Sequence, residues 1–475
     1  MSISLIPLLP LIVMSAASVL IMLIAACYRS HTVTFLLTIA GIVVATLTLP
    51  AVSAHIPAQV TPLLSVDSYA AFYSGLILLA TLAVALLSYE YLNRRREDPA
   101  EYYILLLIAT VGAIILVASN HFASFFLGLE ILSVSLYALI AYDRELQMIE
   151  AGVKYLVLAA ASASFLLFGM ALLYAQLGTM SFTDIASRLA SQKGTDPVSI
   201  AAMLMIVVGV GFKLSLVPFH MWTPDVYQGA PSPIAGYIAT VSKGAVFALL
   251  LRYFSDVRLD AYPSLFSIFM IIAIASMFTG NLLALFQRNI KRLLAYSSIA
   301  HQGYLLVAFL SSGPLRVSAV TFYFVAYFVM TLGAFGVVTL LSGKEEDAER
   351  IEEYHGLFAR RPGIALIFTA MLLSLAGMPL TAGFIGKFYL VAAGVGSALW
   401  LLVIILLVNS AIGLFYYLRV IAVMYVREPE PGIIVSDRLL AGGVVLAALL
   451  VILIWLGVYP TPVLEMIQAI RFGAG

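Results

Sequence analysis

The sequence predicts an all-α polytopic membrane protein of about fourteen transmembrane helices. Two observations carry this class. Of its 475 residues 63% are hydrophobic and only 10% charged, with a mean hydropathy of +1.07, where a soluble chain carries ~25% charged residues. Apolar runs of about 20 residues, each able to cross ~30 Å of hydrocarbon, recur from end to end. No soluble domain interrupts them, so residues 1–475 read as a single membrane domain. The formal net charge of +1, without a basic tail, gives no sign of a nucleic-acid partner; the surroundings implied are the lipid bilayer.

Hydropathy and helix breakers place the spans in order. The first runs over 4–27. It ends in LIAAC, which is similar to a lipoprotein cleavage box, but no Lys or Arg precedes it, so it reads as an uncleaved span. The next six fall at 32–50, 68–91, 102–119, 121–142, 152–177 and 199–217, the last ended by Pro218 and the following WTPDVYQGAPSP. The second set falls at 231–254, 262–286, 292–311, 315–342, 363–396, 398–425 and 439–458. The AGMP sequence interrupts 363–396 near Pro379. Residues 343–363, GKEEDAERIEEYHGLFARRPG, read as a short solvated helix and loop.

Lysine and arginine set the orientation. Loops after odd-numbered spans hold fifteen of the 25 basic residues: Arg29, Arg94, Arg95, Arg96, Arg144, Lys154, Arg288, Lys291, Arg292, Lys344, Arg350, Arg360, Arg361, Arg427 and Arg438. The other side holds six: Arg188, Lys193, Arg252, Arg258, Arg316 and Arg471. Both termini are therefore expected outside, in the periplasm of a bacterial cell. Arg419 stands at a span end.

The three remaining basic residues, Lys213, Lys243 and Lys387, lie well inside spans. Lys243 is about twelve residues into its helix, or ~18 Å at 1.5 Å per residue. Each intramembrane lysine costs at least ~2.5–3.5 kcal/mol on insertion scales, so three together mark a functional path. Among 24 acidic residues only Glu130 lies near the centre of a span. A carboxylate and a lysine that pair hold each other charged, and separating them releases the lysine's proton. The plainer alternative is a static pair that fixes helix register. His301 lies at mid-depth beside Tyr296, Ser297, Ser298 and Gln302, and an imidazole's unperturbed pKa of ~6.5 suits passing protons; a hydrogen-bonded packing histidine is the alternative. No second central histidine faces it, which excludes a bis-histidine haem. The single Cys27 excludes a cysteine-held iron–sulfur cluster. Both interrupted helices carry a buried lysine, and discontinuous helices in two halves of a transporter mark an ion path.

HFASFFLGLEILSVSLYALIAY, GVGFKLSLVPFHMWTPDVYQGAPSP, NIKRLLAYSSIAHQGYLL and SLAGMPLTAGFIGKFY together resemble the antiporter-like membrane subunits of proton-pumping NADH:quinone oxidoreductase, respiratory complex I. The resemblance covers nearly the whole chain and is nearest to the smallest of the three antiporter-like subunits. It implies fourteen helices with two inverted five-helix repeats, 102–254 (spans 4–8) and 262–425 (spans 9–13), and broken helices 7 and 12 at Pro218 and Pro379. It implies that Glu130 is the span-5 glutamate, Lys213 its paired span-7 lysine, Lys243 the connecting lysine, His301 a relay position and Lys387 the terminal lysine of a proton relay. It also implies neighbouring antiporter-like and other complex I membrane subunits as partners. FMN, iron–sulfur clusters and quinone then belong to those partners, with no cofactor and no redox catalysis in this chain alone. The largest subunit's long lateral helix is not expected, since seventeen residues follow the last span. The alternative is a subunit of a multi-subunit Na⁺/H⁺ antiporter. One carboxylate and three amines suit protons better than sodium, which gathers several oxygens. A stand-alone solute carrier fits the motifs poorly.

Overall fold

The computed structural model describes residues 5–95, 99–143, 145–191, 196–257, 259, 262–426, 440–470 and 472. Helices dominate because a bilayer offers backbone N–H and C=O groups no partner outside their own segment. In chain order they are α1 (Leu9–Cys27), α2 (His31–Leu47), α3 (Leu49–Ser53), α4 (Ser68–Arg95), α5 (Ala100–Ala118), α6 (Phe122–Ile140) and α7 (Leu146–Leu177). There follow α8 (Phe182–Ser191), α9 (Pro197–Lys213), α10 (Trp222–Gly229), α11 (Ser232–Tyr237), α12 (Lys243–Asp256), α13 (Pro263–Leu285) and α14 (Ile290–Phe309). The last are α15 (Leu315–Leu341), α16 (Leu357–Arg360), α17 (Pro362–Ala376), α18 (Ala382–Gly396), α19 (Trp400–Tyr425), α20 (Leu440–Val458) and α21 (Thr461–Gln468). Among the described residues eleven helical stretches are long and apolar enough to cross a bilayer. Three shorter apolar helices, Pro197–Lys213, Pro362–Ala376 and Ala382–Gly396, accompany them.

The stretch from α11 to α12 is wholly enclosed by protein, and α15 nearly so. They form the centre of the bundle. On the outside α7 presents Val153, Leu156, Val157, Phe165 and Phe168, and α19 presents Ile404, Leu407, Val408 and Phe415. Such apolar outer faces suit a lipid surround.

Four features depart from the sequence-based expectations. The seventh span ends at Lys213, four residues earlier than expected, and the chain turns helical again at Trp222. WTPDVYQG is therefore a second half-helix. The freed backbone groups are satisfied locally: Trp222 Nε1 donates to Phe212 O at 2.9 Å, and Leu216 N donates to Gly211 O at 2.8 Å. Second, β1 (Ala58–Thr61) and β2 (Leu64–Val66) form an antiparallel hairpin that sits on the α5–α6 turn, where Ser124 Oγ donates to Leu63 O at 2.7 Å. Third, Asp347 in the charge run 343–363 is buried rather than solvated. Fourth, Arg252, counted toward the orientation balance, is not a solvated cation. It lies within α12, buried, with both amino groups on the Asp67 carboxylate at 2.7 and 2.8 Å. Of the residues used for orientation, Arg96, Arg144, Lys193, Arg258, Arg427, Arg438 and Arg471 lie outside the described residues.

Candidate functional site

The site is a line of buried polar side chains running from α6 to α19. Its first member follows from helix length. Asp196 caps α9 by accepting from Ser199 N at 2.9 Å, and the helix runs 17 residues from Pro197. That is ~25 Å, short of the ~30 Å hydrocarbon core, so the end of α9 leaves Lys213 inside the protein with 4% exposure. Lys213 Nζ donates to Ser133 Oγ at 2.5 Å and to Tyr155 OH at 3.2 Å, above the Tyr155 ring. Ser133 lies one turn beyond Glu130 on α6. Glu130 itself is half-buried, and its Oε1 has no hydrogen-bond partner among the described residues. The expected Glu130–Lys213 pair is thus open in this structure, with the ammonium moved one turn along α6.

Lys243 follows a single π-helical stretch, Ile238–Ser242, an irregularity that recurs at functional sites. It is fully buried. Its Nζ donates to Ser298 Oγ at 2.7 Å and sits 5.3 Å from the centre of the Tyr227 ring. Ser298 also accepts from Tyr327 OH at 2.9 Å. One turn along α14, His301 places Nδ1 2.6 Å from Tyr323 OH and Nε2 3.4 Å from Tyr417 OH. Tyr417 in turn bonds Ser297. The polar stripe read on α14 is therefore real for Ser297, Ser298 and His301. Gln302 is buried, and its amide has no hydrogen-bond partner among the described residues.

The line ends at the second break. There α17 stops at Ala376 and α18 starts at Ala382, and Lys387 fills the gap. Its Nζ donates to Leu375 O at 3.1 Å, Ala376 O at 2.8 Å and Ser410 Oγ at 2.7 Å. A cation at a helix C-terminus meets the negative end of the macrodipole, so the lysine also completes the broken helix. Gly377 makes room for it. Its φ of +87° lies in the left-handed region, and a Cβ there would come within 2.8 Å of the Lys387 side chain. The lysine ring partner here is Tyr304, 5.2 Å away. Pro218 and Pro379 both fall in the non-helical stretches between half-helices.

Cations nearer the loops are held differently. Lys291 donates to Asp347 Oδ2 at 2.7 Å and Arg95 to Asp347 Oδ1 at 2.9 Å. Tyr91 and Ser232 donate to the same carboxylate. Burial alone would raise the Asp347 carboxyl, but Lys291 and Arg95 outweigh it and hold it at about 2. Lys154 pairs with Glu150 at 2.7 Å and Asp225 at 3.1 Å. Lys154, Lys291 and Arg95 thus sit on carboxylates, whereas the three intramembrane lysines sit on hydroxyls and carbonyls.

A family model described as NADH:quinone oxidoreductase/Mrp antiporter, TM, matches residues 119–413, the stretch that holds Glu130, Lys213, Lys243, His301, Lys387 and the serines that the three lysines bond. NADH-quinone oxidoreductase subunit N of Methylococcus capsulatus is 47% identical over 463 residues, covering 96% of this chain and 93% of the relative. Subunit N of Ectopseudomonas mendocina is 46% identical over 477 residues, covering 98% and 96%. Among solved structures, a chain of respiratory complex I from Thermus thermophilus superposes with a TM-score of 0.83 at 32% identity, covering 96% of this chain and 98% of that one. A chain of the archaeal membrane-bound sulfane sulfur reductase gives 0.86 at 25% identity, covering 98% and 96%. The Mrp complex of Dietzia sp. DQ12-45-1b gives 0.86 at 18% identity with the same coverage, a likeness of fold alone. A family match over more than half of the chain, with identities of 46–47% over nearly all of it, means that the chain belongs to the NADH:quinone oxidoreductase/Mrp antiporter membrane family, among the subunit N sequences of NADH-quinone oxidoreductase.

Proposed function

We propose that the chain is the proton-translocating membrane subunit of a bacterial NADH:quinone oxidoreductase, with Glu130, Lys213, Lys243, His301 and Lys387 as its relay. The observation that carries this reading is the set of buried groups itself: three amines and an imidazole, each hydrogen-bonded to partners on other helices, drawn from four helical segments, with two of the amines at helix breaks. Amines and an imidazole can all take up and release protons, and buried together in a membrane domain they suit stepwise proton movement. Closing Lys213 on Glu130 holds both charged; the open arrangement, with Lys213 on Ser133, is the one from which the lysine gives up its proton.

The family reading extends to fourteen spans in inverted repeats over 102–254 and 262–425. Its support is that each repeat holds one helix broken beside a lysine, α9–α10 with Lys213 and α17–α18 with Lys387. The basic-residue balance favours a bacterial inner-membrane location with both termini periplasmic. The partners are the neighbouring antiporter-like and other membrane subunits of the complex. Cys27, exposed at the end of α1, offers no ligand set for an iron–sulfur cluster, so FMN, clusters and quinone are assigned to partner subunits and no step here runs through them. Identities of 46–47% to subunit N relatives favour this reading over the Na⁺/H⁺ antiporter alternative.

NADH-driven proton pumping in membrane vesicles carrying Lys213→Ala, with assembly checked on a native gel, tests the relay. An assembled complex in which turnover and pumping both fall ~100-fold or more is expected, the scale of a lost proton-transfer group. An assembled variant that pumps normally returns Lys213 to a structural role.

A further inference from the structure

The three intramembrane lysines share a feature that neither their spacing nor their depth requires: each ammonium is seated on a serine hydroxyl from another helix. Lys213 of α9 sits on Ser133 of α6, Lys243 of α12 on Ser298 of α14, and Lys387 of α18 on Ser410 of α19, at 2.5, 2.7 and 2.7 Å. No carboxylate lies within 4.0 Å of any of the three among the described residues, although Lys154 and Lys291 both bind one. We propose that Ser133, Ser298 and Ser410 are proton-tolerant seats, relay residues that keep each lysine in place both before and after it loses its proton. The proposal rests on the relay reading above.

The chemistry follows from the inventory of donors and acceptors. A lysine ammonium has three donors and no acceptor, while a serine hydroxyl has one donor and two acceptor lone pairs. Against the ammonium the serine accepts, and at Ser133 and Ser410 its own proton is engaged by a backbone carbonyl. Ser133 Oγ donates to Leu129 O at 2.5 Å, and Ser410 Oγ donates to Ala376 O at 3.3 Å. When an N–H bond of the ammonium breaks and the proton passes to a water molecule or the next relay group, the amine gains a lone pair. The hydroxyl then rotates from the carbonyl to donate to that lone pair, and the N···O contact survives with its direction reversed. A carboxylate cannot do this, because once ionised it only accepts. It holds the ammonium charged, as Asp347 holds Lys291. At Ser298 there is no carbonyl partner among the described residues: Tyr327 and Lys243 donate into the two lone pairs, and the Tyr227 hydroxyl, 3.5 Å away, is the partner from which the serine's proton turns to the amine. Because every seat belongs to a different helix from its lysine, a small shift between helices changes the seat without moving the chain around either residue.

The test compares Ser133→Ala, Ser298→Ala and Ser410→Ala, each with its threonine counterpart and beside Lys213→Ala, in assembled complexes in vesicles. Turnover and pumping are recorded across a pH series. Alanine removes one hydroxyl and fits in the same space, so a packing role predicts little loss on alanine and some on the bulkier threonine. Proton-tolerant seats predict the reverse: about tenfold or more loss of turnover and pumping for alanine, the weight of a hydrogen bond to a charged group, with a changed shape of the pH profile. Threonine, which keeps the hydroxyl, restores most of both. Three seats read separately keep the result decisive if one variant fails to assemble. Alanine variants that behave as wild type while Lys213→Ala collapses overturn the seats and leave the relay standing. A functional Lys213→Ala overturns the relay and the seats together.

Discussion

Lys387 shows at the scale of one residue why charge and proton release are separate requirements. Its ammonium satisfies Leu375 O and Ala376 O, the last carbonyls of α17, as well as Ser410. An arginine would keep the charge and the donors but never release its proton in a protein. Lys387→Arg is therefore expected to assemble on a native gel and to lose proton pumping, whereas Lys387→Met loses the helix-terminal contacts as well and lowers assembly. Pumping by the arginine variant at wild-type rates would mean that Lys387 only caps the helix. Asp67 illustrates the opposite case. Its carboxylate is the buried bidentate partner of Arg252, and a buried cation left without its counter-charge costs ~3–5 kcal/mol. Asp67→Asn should lower the melting temperature of the detergent-solubilised complex without acting on the relay directly.

The two breaks carry the argument at the scale of the element. Between α17 and α18 the chain closes so tightly that a Cβ on Gly383 would lie 1.9 Å from the Ser374 carbonyl oxygen, while Gly383 N donates to Ser374 Oγ at 3.0 Å. Backbone cannot yield as a flexible side chain can. Gly383→Ala is expected to push the half-helices apart, displace Lys387 from the carbonyls of α17 and reduce the assembled complex on a native gel. Full assembly with normal pumping would show that the break tolerates widening. Between α9 and α10 the closure is made by side chains instead: Trp222 takes the Phe212 carbonyl and Thr223 donates to Ser215 Oγ at 2.6 Å. Proline and glycine announced both breaks, but not that the first resumes as helix at Trp222, since an eight-residue half-helix held by tertiary contacts has no periodic signature of its own.

For the molecule as a whole, the 343–349 connection acts as a clamp. Asp347 joins α4 through Arg95 and Tyr91, α11 through Ser232 and α14 through Lys291. Because its carboxyl is held at about 2, below the ordinary 3.8, its contribution to stability is complete above the ordinary value. It is lost as pH falls from there through about 2. Proteolysis of the 343–363 segment in the intact complex should therefore be as slow at pH 5 as at pH 7. Asp347→Asn should open the segment at pH 7. Equal cleavage of variant and wild type would remove the clamp.

The sequence by itself determined the membrane class, the approximate places of the long helices, the three lysines inside them, and the proline and glycine breaks beside two of these. Those are local properties: hydropathy, helix length and the cost of an intramembrane charge are all written along the chain. The motifs added the family. Only the tertiary structure decided what each lysine touches, because its serine lies 80, 55 or 23 residues away and one serine among many carries no mark. It also decided that Glu130 and Lys213 stand apart, that Asp347 and Arg252 are buried and paired, and that the helix before Lys243 loosens into a π-turn. Charge composition cannot distinguish a solvated run from a clamp, since burial is set by packing between distant helices rather than by neighbours in sequence.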